Sequence, residues 1–275
     1  MPTKVTVLSN DKVELFSPYI GEHGFACFIE TDHGNYLFDT GQGFGIIHNA
    51  LHLKKDLKSV EAIILSHGHY DHTGGLDKVL KITGNTKVYA HPDIFAKKYD
   101  NKDGEIEYTG LRYVYEYLTN LGADFILNRE FSEICKGIYL TGEVPRKNDF
   151  EQTLNTQFIT ENDKKIPDQF KDDNSLAIDT KKGLIIILGC AHAGIINILD
   201  YFTEKLNKHI YAVIGGTHLH PANDDRLQKT IKALRNYDIE HIGTSHCTGS
   251  KEADIRMAFK KEYFDASVGA QLYIE

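Results

Sequence analysis

This sequence is short of positive charge, of clustered cysteine and of long apolar runs, and each shortage argues against a class of protein. Lys and Arg number 31 against 39 Asp and Glu, a formal net charge of -8. Nonspecific attachment to nucleic acid depends on basic surface, so this balance weighs against it. No apolar stretch reaches the roughly 20 residues of a membrane-spanning helix, and Met1-Pro2-Thr3-Lys4 does not open a signal peptide. The four cysteines, Cys27, Cys135, Cys190 and Cys247, include no Cys-x-x-Cys pair. That spacing suits a reduced, cytoplasmic protein better than a disulfide scaffold. The expected partner is a small-molecule substrate, with neither nucleic acid nor a membrane involved. With 275 residues, 41% of them hydrophobic, the chain can bury a sizeable core. We expect a single domain over residues 1–275.

Histidine, by contrast, is concentrated where it can do chemistry. The stretch Ser66-His67-Gly68-His69-Tyr70-Asp71-His72-Thr73-Gly74-Gly75 follows the apolar run Ala62-Ile63-Ile64-Leu65 and leads into a helix from about Leu76. Alternate side chains of an extended segment share a face, so His67 and His69 point the same way. The turn through Asp71, His72 and the paired glycines brings those two side chains in from another side. Imidazole and carboxylate are both good zinc and iron ligands, and two pairs from one loop suit two adjacent ions. A solvated histidine-rich loop is the plainer alternative. Its position between a strand and a helix, where α/β sheets place their sites, favours metal.

The rest of the chain supplies further strand ends. Lys4–Leu8 alternates as a strand, and Phe25–Glu30 pairs with Tyr36–Phe38 as a hairpin. The hairpin ends in Phe38-Asp39-Thr40-Gly41, where Asp39 can orient a histidine by accepting its spare N–H. Phe44–Leu57 has helical spacing, with His48 and His52 on its surface. Lys87–His91 is a strand closed by Pro92; His91 is a minor candidate for the site. Residues 92–173 lose the strand–helix rhythm and are expected to form an inserted lid over the site. This interval contains a helical face at Leu111, Val114, Tyr115 and Leu118. Strands are expected at Asp124–Leu127, Phe131–Cys135 and Ile138–Leu140, and a turn at Glu161–Lys165. Within it, Arg146 follows a rigid Val144-Pro145 step and can hold a carboxylate or phosphate bidentately. Rhythm returns at Ser175–Asp179 and at Leu184–Leu188, whose unbroken apolar character predicts burial on both faces. That strand delivers Cys190 and His192 into a helix over Ile195–Leu206. Ile210–Ile214 delivers His218 ahead of a helix over Asp224–Arg235. His241–Thr244 delivers His246 before a final helix. Four strand ends thus carry histidine, and convergence on one sheet edge is the simplest account. His23, His33, His209 and His241 have no such setting and are read as structural or solvent histidines.

Phe38-Asp39-Thr40-Gly41, the His-x-His-x-Asp-His loop, His192 and His246 occur in the order of the metallo-β-lactamase superfamily, which this chain resembles along essentially its whole length. Gly142-Glu143-Val144-Pro145-Arg146 with Glu151, Asp172-Asp173, Gly189-Cys190-Ala191-His192, Gly215-Gly216-Thr217-His218-Leu219 and Ser245-His246-Cys247-Thr248-Gly249 resemble a narrower branch. That branch is named after the synthase of a dihydropterin linked to ribofuranosylaminobenzene phosphate. The resemblance implies an α/β fold, a four-layer αββα sandwich, with one or two divalent ions at one edge. Zinc is expected first, and iron or manganese also accepts this donor set. The implied ligands are His67, His69 and His192 for one ion and Asp71, His72 and His246 for the other, with Cys190 as a further candidate. Cys190 falls where the superfamily has a bridging aspartate, and Asp172-Asp173-Asn174 where it has a third histidine, a role His192 would assume. Asp71 and Asp39 are the implied catalytic residues; Arg146, His218 and Glu151 the implied substrate contacts. The expected activity is metal-dependent hydrolysis, or a related transfer, using a metal-activated water on a small phosphorylated or pterin-like substrate. The alternatives are a non-haem iron oxidoreductase and a non-catalytic ligand-binding or sensor protein.

Overall fold

The computed structural model describes residues 2–152 and 156–275. Two β-sheets face each other, and helices cover the outer side of each. Numbered in chain order, the strands of the first sheet lie side by side as β17 (Gln271–Ile274), β1 (Thr3–Ser9), β2 (Ala26–Thr31), β3 (Gly34–Phe38), β4 (Val60–Ile64), β5 (Thr86–Ala90) and β8 (Ala123–Leu127). The second runs β16 (His241–Ser245), β15 (Ile210–Gly216), β14 (Gly183–Leu188), β13 (Ser175–Thr180), β10 (Ile138–Leu140) and β9 (Ser132–Cys135). A third, small sheet is built from β12 (Lys164–Pro167), β11 (Gln157–Glu161), β6 (Lys98–Lys102) and β7 (Glu105–Tyr108).

The layering follows from the period-two alternation of the strands. In β14, Ile185 and Ile187 point between the sheets, where they meet Val5, Val7, Ile29 and Ile64. Leu184, Ile186 and Leu188 point outward onto α5 (Ile195–Leu206), α6 (Asp224–Leu234) and α7 (Glu252–Ala258). Every residue of β14 is buried, as its apolar run predicts. In β4, Ala62 and Ile64 face the inter-sheet core, while Ile63 packs outward with α1 (Ile46–His52), α3 (Leu76–Thr83) and α4 (Tyr115–Asn120); the one-turn helix α2 (Tyr70–Thr73) lies between β4 and α3 in the chain. The result is the expected αββα sandwich. Among the described residues no helix is long and apolar enough to cross a membrane.

Two regions differ from the sequence reading. The helix expected over Phe44–Leu57 is only Ile46–His52, because Lys54 turns into the left-handed region at φ +55°. The 92–173 interval is divided among three sheets. β8 extends the first sheet beside β5, β9 and β10 form the edge of the second, and only β6, β7, β11 and β12 stand apart. β7 and β12 are exposed at every position, so they carry no alternation for a sequence reading to detect. The turn expected at Glu161–Lys165 joins β11 to β12.

The small sheet is tied to the sandwich by Lys98, which is 2% exposed and reaches Asp168 at 2.7 Å and Asp172 at 2.9 Å. Removing the cation leaves two buried carboxylates unpaired, a change that costs about 3–5 kcal/mol. Lys98→Met keeps the aliphatic stem and is expected to lower Tm by on the order of 10 °C in a calorimetric scan. A Tm within a degree of wild type would show that the triad does not anchor this sheet.

Candidate metal centre

The chemistry-bearing residues sit where parallel strands end. β3 and β4 run parallel, as do β14, β15 and β16. Asp39 follows β3, the histidine loop follows β4, Cys190 and His192 follow β14, His218 follows β15, and His246 follows β16. Asp39, Ala191, His218 and His246 all have φ between +47° and +55°. Non-glycine residues in that region cost about 1–3 kcal/mol each and persist where surrounding structure holds them.

A hydrogen-bond network fixes which nitrogen of each ring carries a proton. Asp39 accepts from Ser66 N at 2.7 Å, from Ser66 Oγ at 2.7 Å and from His72 Nδ1 at 2.7 Å. The Ser66 hydroxyl spends its single hydrogen on Asp39. It therefore accepts from His67 Nδ1, 2.9 Å away. Both imidazoles are left with a bare Nε2. His246 Nδ1 lies 3.0 Å from Asp11 Oδ1, which turns its Nε2 toward Asp71 and His72. Such partners set the tautomer of a ligating histidine and raise its basicity.

The remaining nitrogens face one another in two groups. His67 Nε2 lies 3.0 Å from His69 Nδ1 and 3.3 Å from His192 Nε2. His246 Nε2 lies 3.3 Å from His72 Nε2 and 3.1 Å from Asp71 Oδ2. Each triad, His67–His69–His192 and Asp71–His72–His246, is buried, with its donor atoms within 4.8 Å of one another. Cys190 joins them: its Sγ is 3.1 Å from His72 Nε2, and it forms a further group with His67 and His72.

Electrostatics supports the same reading. Burial, reinforced by neighbouring imidazoles, holds His67 and His192 well below the usual histidine pKa. Burial lowers His69 to about 3. These rings are neutral at physiological pH, the form that binds metal. Burial disfavours a charged Asp71 and a charged His246. The neighbouring rings of His72 and His246 nonetheless keep Asp71 ionised, and hydrogen bonds to Asp11 and Asp71 hold His246 well above its ordinary value. The bare lone pairs of His67, His69 and His192, crowded together in a dry site, repel each other, and a divalent cation between them relieves that; in the other triad a cation would take the place of the proton that His246 holds against Asp71. The residues present fit one or two such ions.

The structure brings together His67, His69, Asp71, His72, His192, His246 and Cys190, with Asp39 behind them. His218 borders them, its ring 4.3 Å from that of His192. Arg146 lies outside the donor groups and donates to the carbonyls of Glu151 and Gln169. Glu151, expected against substrate, is instead 1% exposed and caps α5. It accepts from the amides of Ile196 and Asn197, both at 3.0 Å, where the helix dipole favours a carboxylate. His91 is sequestered with Glu143 at 3.3 Å, away from both triads. Asp172 and Asp173 hold backbone in place, Asp172 accepting from Gly68 N and Asp173 from Ala193 N, each at 2.8 Å.

Several participants escaped the sequence reading. His23, taken as a structural or solvent histidine, lies 3.4 Å from Asp71 Oδ2 and 3.3 Å from Asp11 Oδ2. Asn10 accepts from His246 N at 3.0 Å. Phe170 stacks on His192 with ring centroids 3.9 Å apart. The Ser9-Asn10-Asp11 segment reads as a turn after β1, and only the pairing of β1 with β2 and β17 places it beneath His246.

Gly189 is needed for space. A Cβ there would lie 2.2 Å from Ser66 Oγ and 2.5 Å from Ser66 Cβ, displacing the residue that links Asp39 to His67. Gly189→Ala is expected to cost about 1–3 kcal/mol, as overpacked sites do. A thermal melt checks this; an unchanged Tm would show that Ser66 is not held against the end of β14.

Known proteins resemble this chain in sequence and in fold. The chain is 36% identical over 276 residues to the 7,8-dihydropterin-6-methyl-4-(beta-D-ribofuranosyl)-aminobenzene-5'-phosphate synthase of Methanocaldococcus jannaschii, covering 95% of this chain and 93% of that protein. It is equally similar, at 36% over 238 residues, to an uncharacterised protein of the same organism, covering 86% and 88% of the two chains. The crystal structure of Tm1679, a metal-dependent hydrolase of the beta-lactamase superfamily, superposes with a TM-score of 0.84 at 30% identity, covering 99% of both chains. The sequence profile described as "Metallo-beta-lactamase superfamily" matches residues 20–246. The chain belongs to the metallo-beta-lactamase superfamily.

Proposed function

We propose that this protein is a metal-dependent hydrolase, or a related group-transfer enzyme, acting on a small phosphorylated or pterin-like substrate. The observation that carries the proposal is the pair of buried triads at one sheet edge, each with donor atoms converging within 4.8 Å. His67, His69 and His192 hold one divalent ion, and Asp71, His72 and His246 hold the second, with Cys190 beside His72. Zinc suits the nitrogen-rich donors best, and iron or manganese is accommodated by the same set. Ions held there supply Lewis-acid polarisation of the attacked bond and acidify a water molecule.

The protein's own residues set the conditions for that chemistry. Asp39 and Ser66 keep protons on Nδ1 of His72 and His67, so both rings present a lone pair inward. Asp71 contributes negative charge that balances the cations. Phe170 stacks on His192 and keeps water from one side of the site. The sheet of β6, β7, β11 and β12 acts as the lid, and Arg146 holds an anionic part of the substrate. The synthase relative is named for a product containing a dihydropterin and a phosphorylated ribofuranosyl group. That name supports a phosphorylated substrate and leaves transfer as the partner reading to hydrolysis. Four free thiols suit a reducing cytoplasm.

Elemental analysis tests the centre. His67→Ala combined with His69→Ala is expected to lose at least half of the metal bound by the wild-type protein while keeping its circular dichroism. Undiminished metal in the folded double variant would overturn the ligand assignment.

A further inference from the structure

Arg146 has a second arginine beside it that the sequence reading passed over. Arg146 Nη1 donates to Glu151 O at 3.5 Å, and Arg226 Nη1 donates to Gln152 O at 3.3 Å. The two guanidinium groups therefore hold consecutive carbonyls of one chain segment, one from the loop after β10 and one from the first turn of α6. Both are partly buried, and neither forms an ion pair among the described residues. Arg226 Nε is buried without a partner among the described residues, and so is Nδ1 of His218, whose ring adjoins His192. Burial lowers the pKa of Arg226. Arg146 also donates to Gln169 O at 3.2 Å, and the next residue, Phe170, stacks on His192, which sets the Arg146 end of the pair beside the His67–His69–His192 triad. The charges of Asp173, Glu151 and Asp168 favour the Arg146 cation and that of Glu151 favours the Arg226 cation, but none of these carboxylates forms an ion pair with either guanidinium among the described residues. The Glu151 oxygens are taken by two helix amides and by Asn148 Nδ2 at 2.8 Å.

Two neighbouring cations and an unpaired buried donor are both unfavourable, the donor alone by about 1–3 kcal/mol. A carboxylate carries one charge and two acceptor oxygens, enough for one guanidinium. A phosphate monoester carries close to two charges and three free oxygens, enough for two forks at once. We propose that Arg226 and Arg146 form the subsite for a phosphate monoester group of the substrate. This rests on the reading of a phosphorylated substrate given above. It adds Arg226 as the residue that selects a dianionic group over a monoanionic one.

Calorimetric titration of the metal-loaded protein with inorganic phosphate and with acetate tests the subsite. Arg226→Gln is expected to weaken phosphate binding at least tenfold and to change acetate binding less than threefold. Arg226→Lys, which keeps the charge but loses the fork, should fall between Arg226→Gln and wild type. Arg235→Gln, which removes an exposed charge at the other end of α6, should bind phosphate as wild type does. Wild-type phosphate affinity in Arg226→Gln overturns the proposal, as does an equal loss for acetate. Should Arg226→Gln fail to fold, Arg146→Gln carries the same expectation. Metal content measured on the same samples keeps the two readings apart. Metal lost from Arg226→Gln would assign the effect to the centre and overturn the subsite. A wild-type protein without metal would overturn the centre, while the dependence of phosphate binding on arginine is still read directly.

Discussion

The buried carboxylate of Asp39 is the constraint on which the site depends. It is fully inaccessible, stands at φ +55°, and accepts three hydrogen bonds from Ser66 and His72. Hydrogen bonds to a charged group are worth about 1.5–3 kcal/mol each. Three of them outweigh the about 1–3 kcal/mol of strain in the left-handed backbone. The parallel pairing of β3 with β4 makes this possible, since it sets Asp39 N against Ile64 O at 2.8 Å and so places the carboxylate under the start of the histidine loop. From that one anchor the tautomers of His72 and His67 follow, and with them the inward direction of two lone pairs.

The second sheet supplies the other half by the same logic. β14 is buried on both faces, so its end is rigid, and Gly189 lets it approach Ser66 closely enough to set Cys190 and His192 against the loop. The small sheet then reaches in through a relay of contacts. Lys98 lies 5.0 Å from the Phe170 ring centroid, and Phe170 stacks on His192. Asp172 binds both Lys98 and the Gly68 amide. The small sheet is thus mechanically joined to the candidate ligands through Lys98, Phe170 and Asp172.

Much of this was legible in the sequence because periodicity and strand ends are local signals. Alternation gave the hairpin of β2 and β3, the unbroken apolar run gave β14, and histidine beside small residues marked four strand termini. The αββα layering came from resemblance and is accounted for by the three separate packed cores. Asp11, His23 and Phe170 were not legible, because their roles depend on contacts with partners 22 to 235 positions away in the chain. A turn aspartate and an isolated histidine carry no periodic signature. Glu151 was misread for the opposite reason: its neighbours resemble a substrate loop, whereas its carboxylate completes the first turn of α5. The pairing of Arg226 with Arg146 lies beyond sequence reasoning as well, since the two residues are joined only through adjacent carbonyls.

The central assignment is that two groups of side chains, distant in sequence, share one pair of metal positions. Diffraction data collected across the zinc absorption edge, from crystals grown with zinc, test it most directly. Anomalous peaks are expected among His67, His69 and His192 and among Asp71, His72 and His246. Peaks confined to surface residues, with both triads empty in well-ordered density, would contradict it.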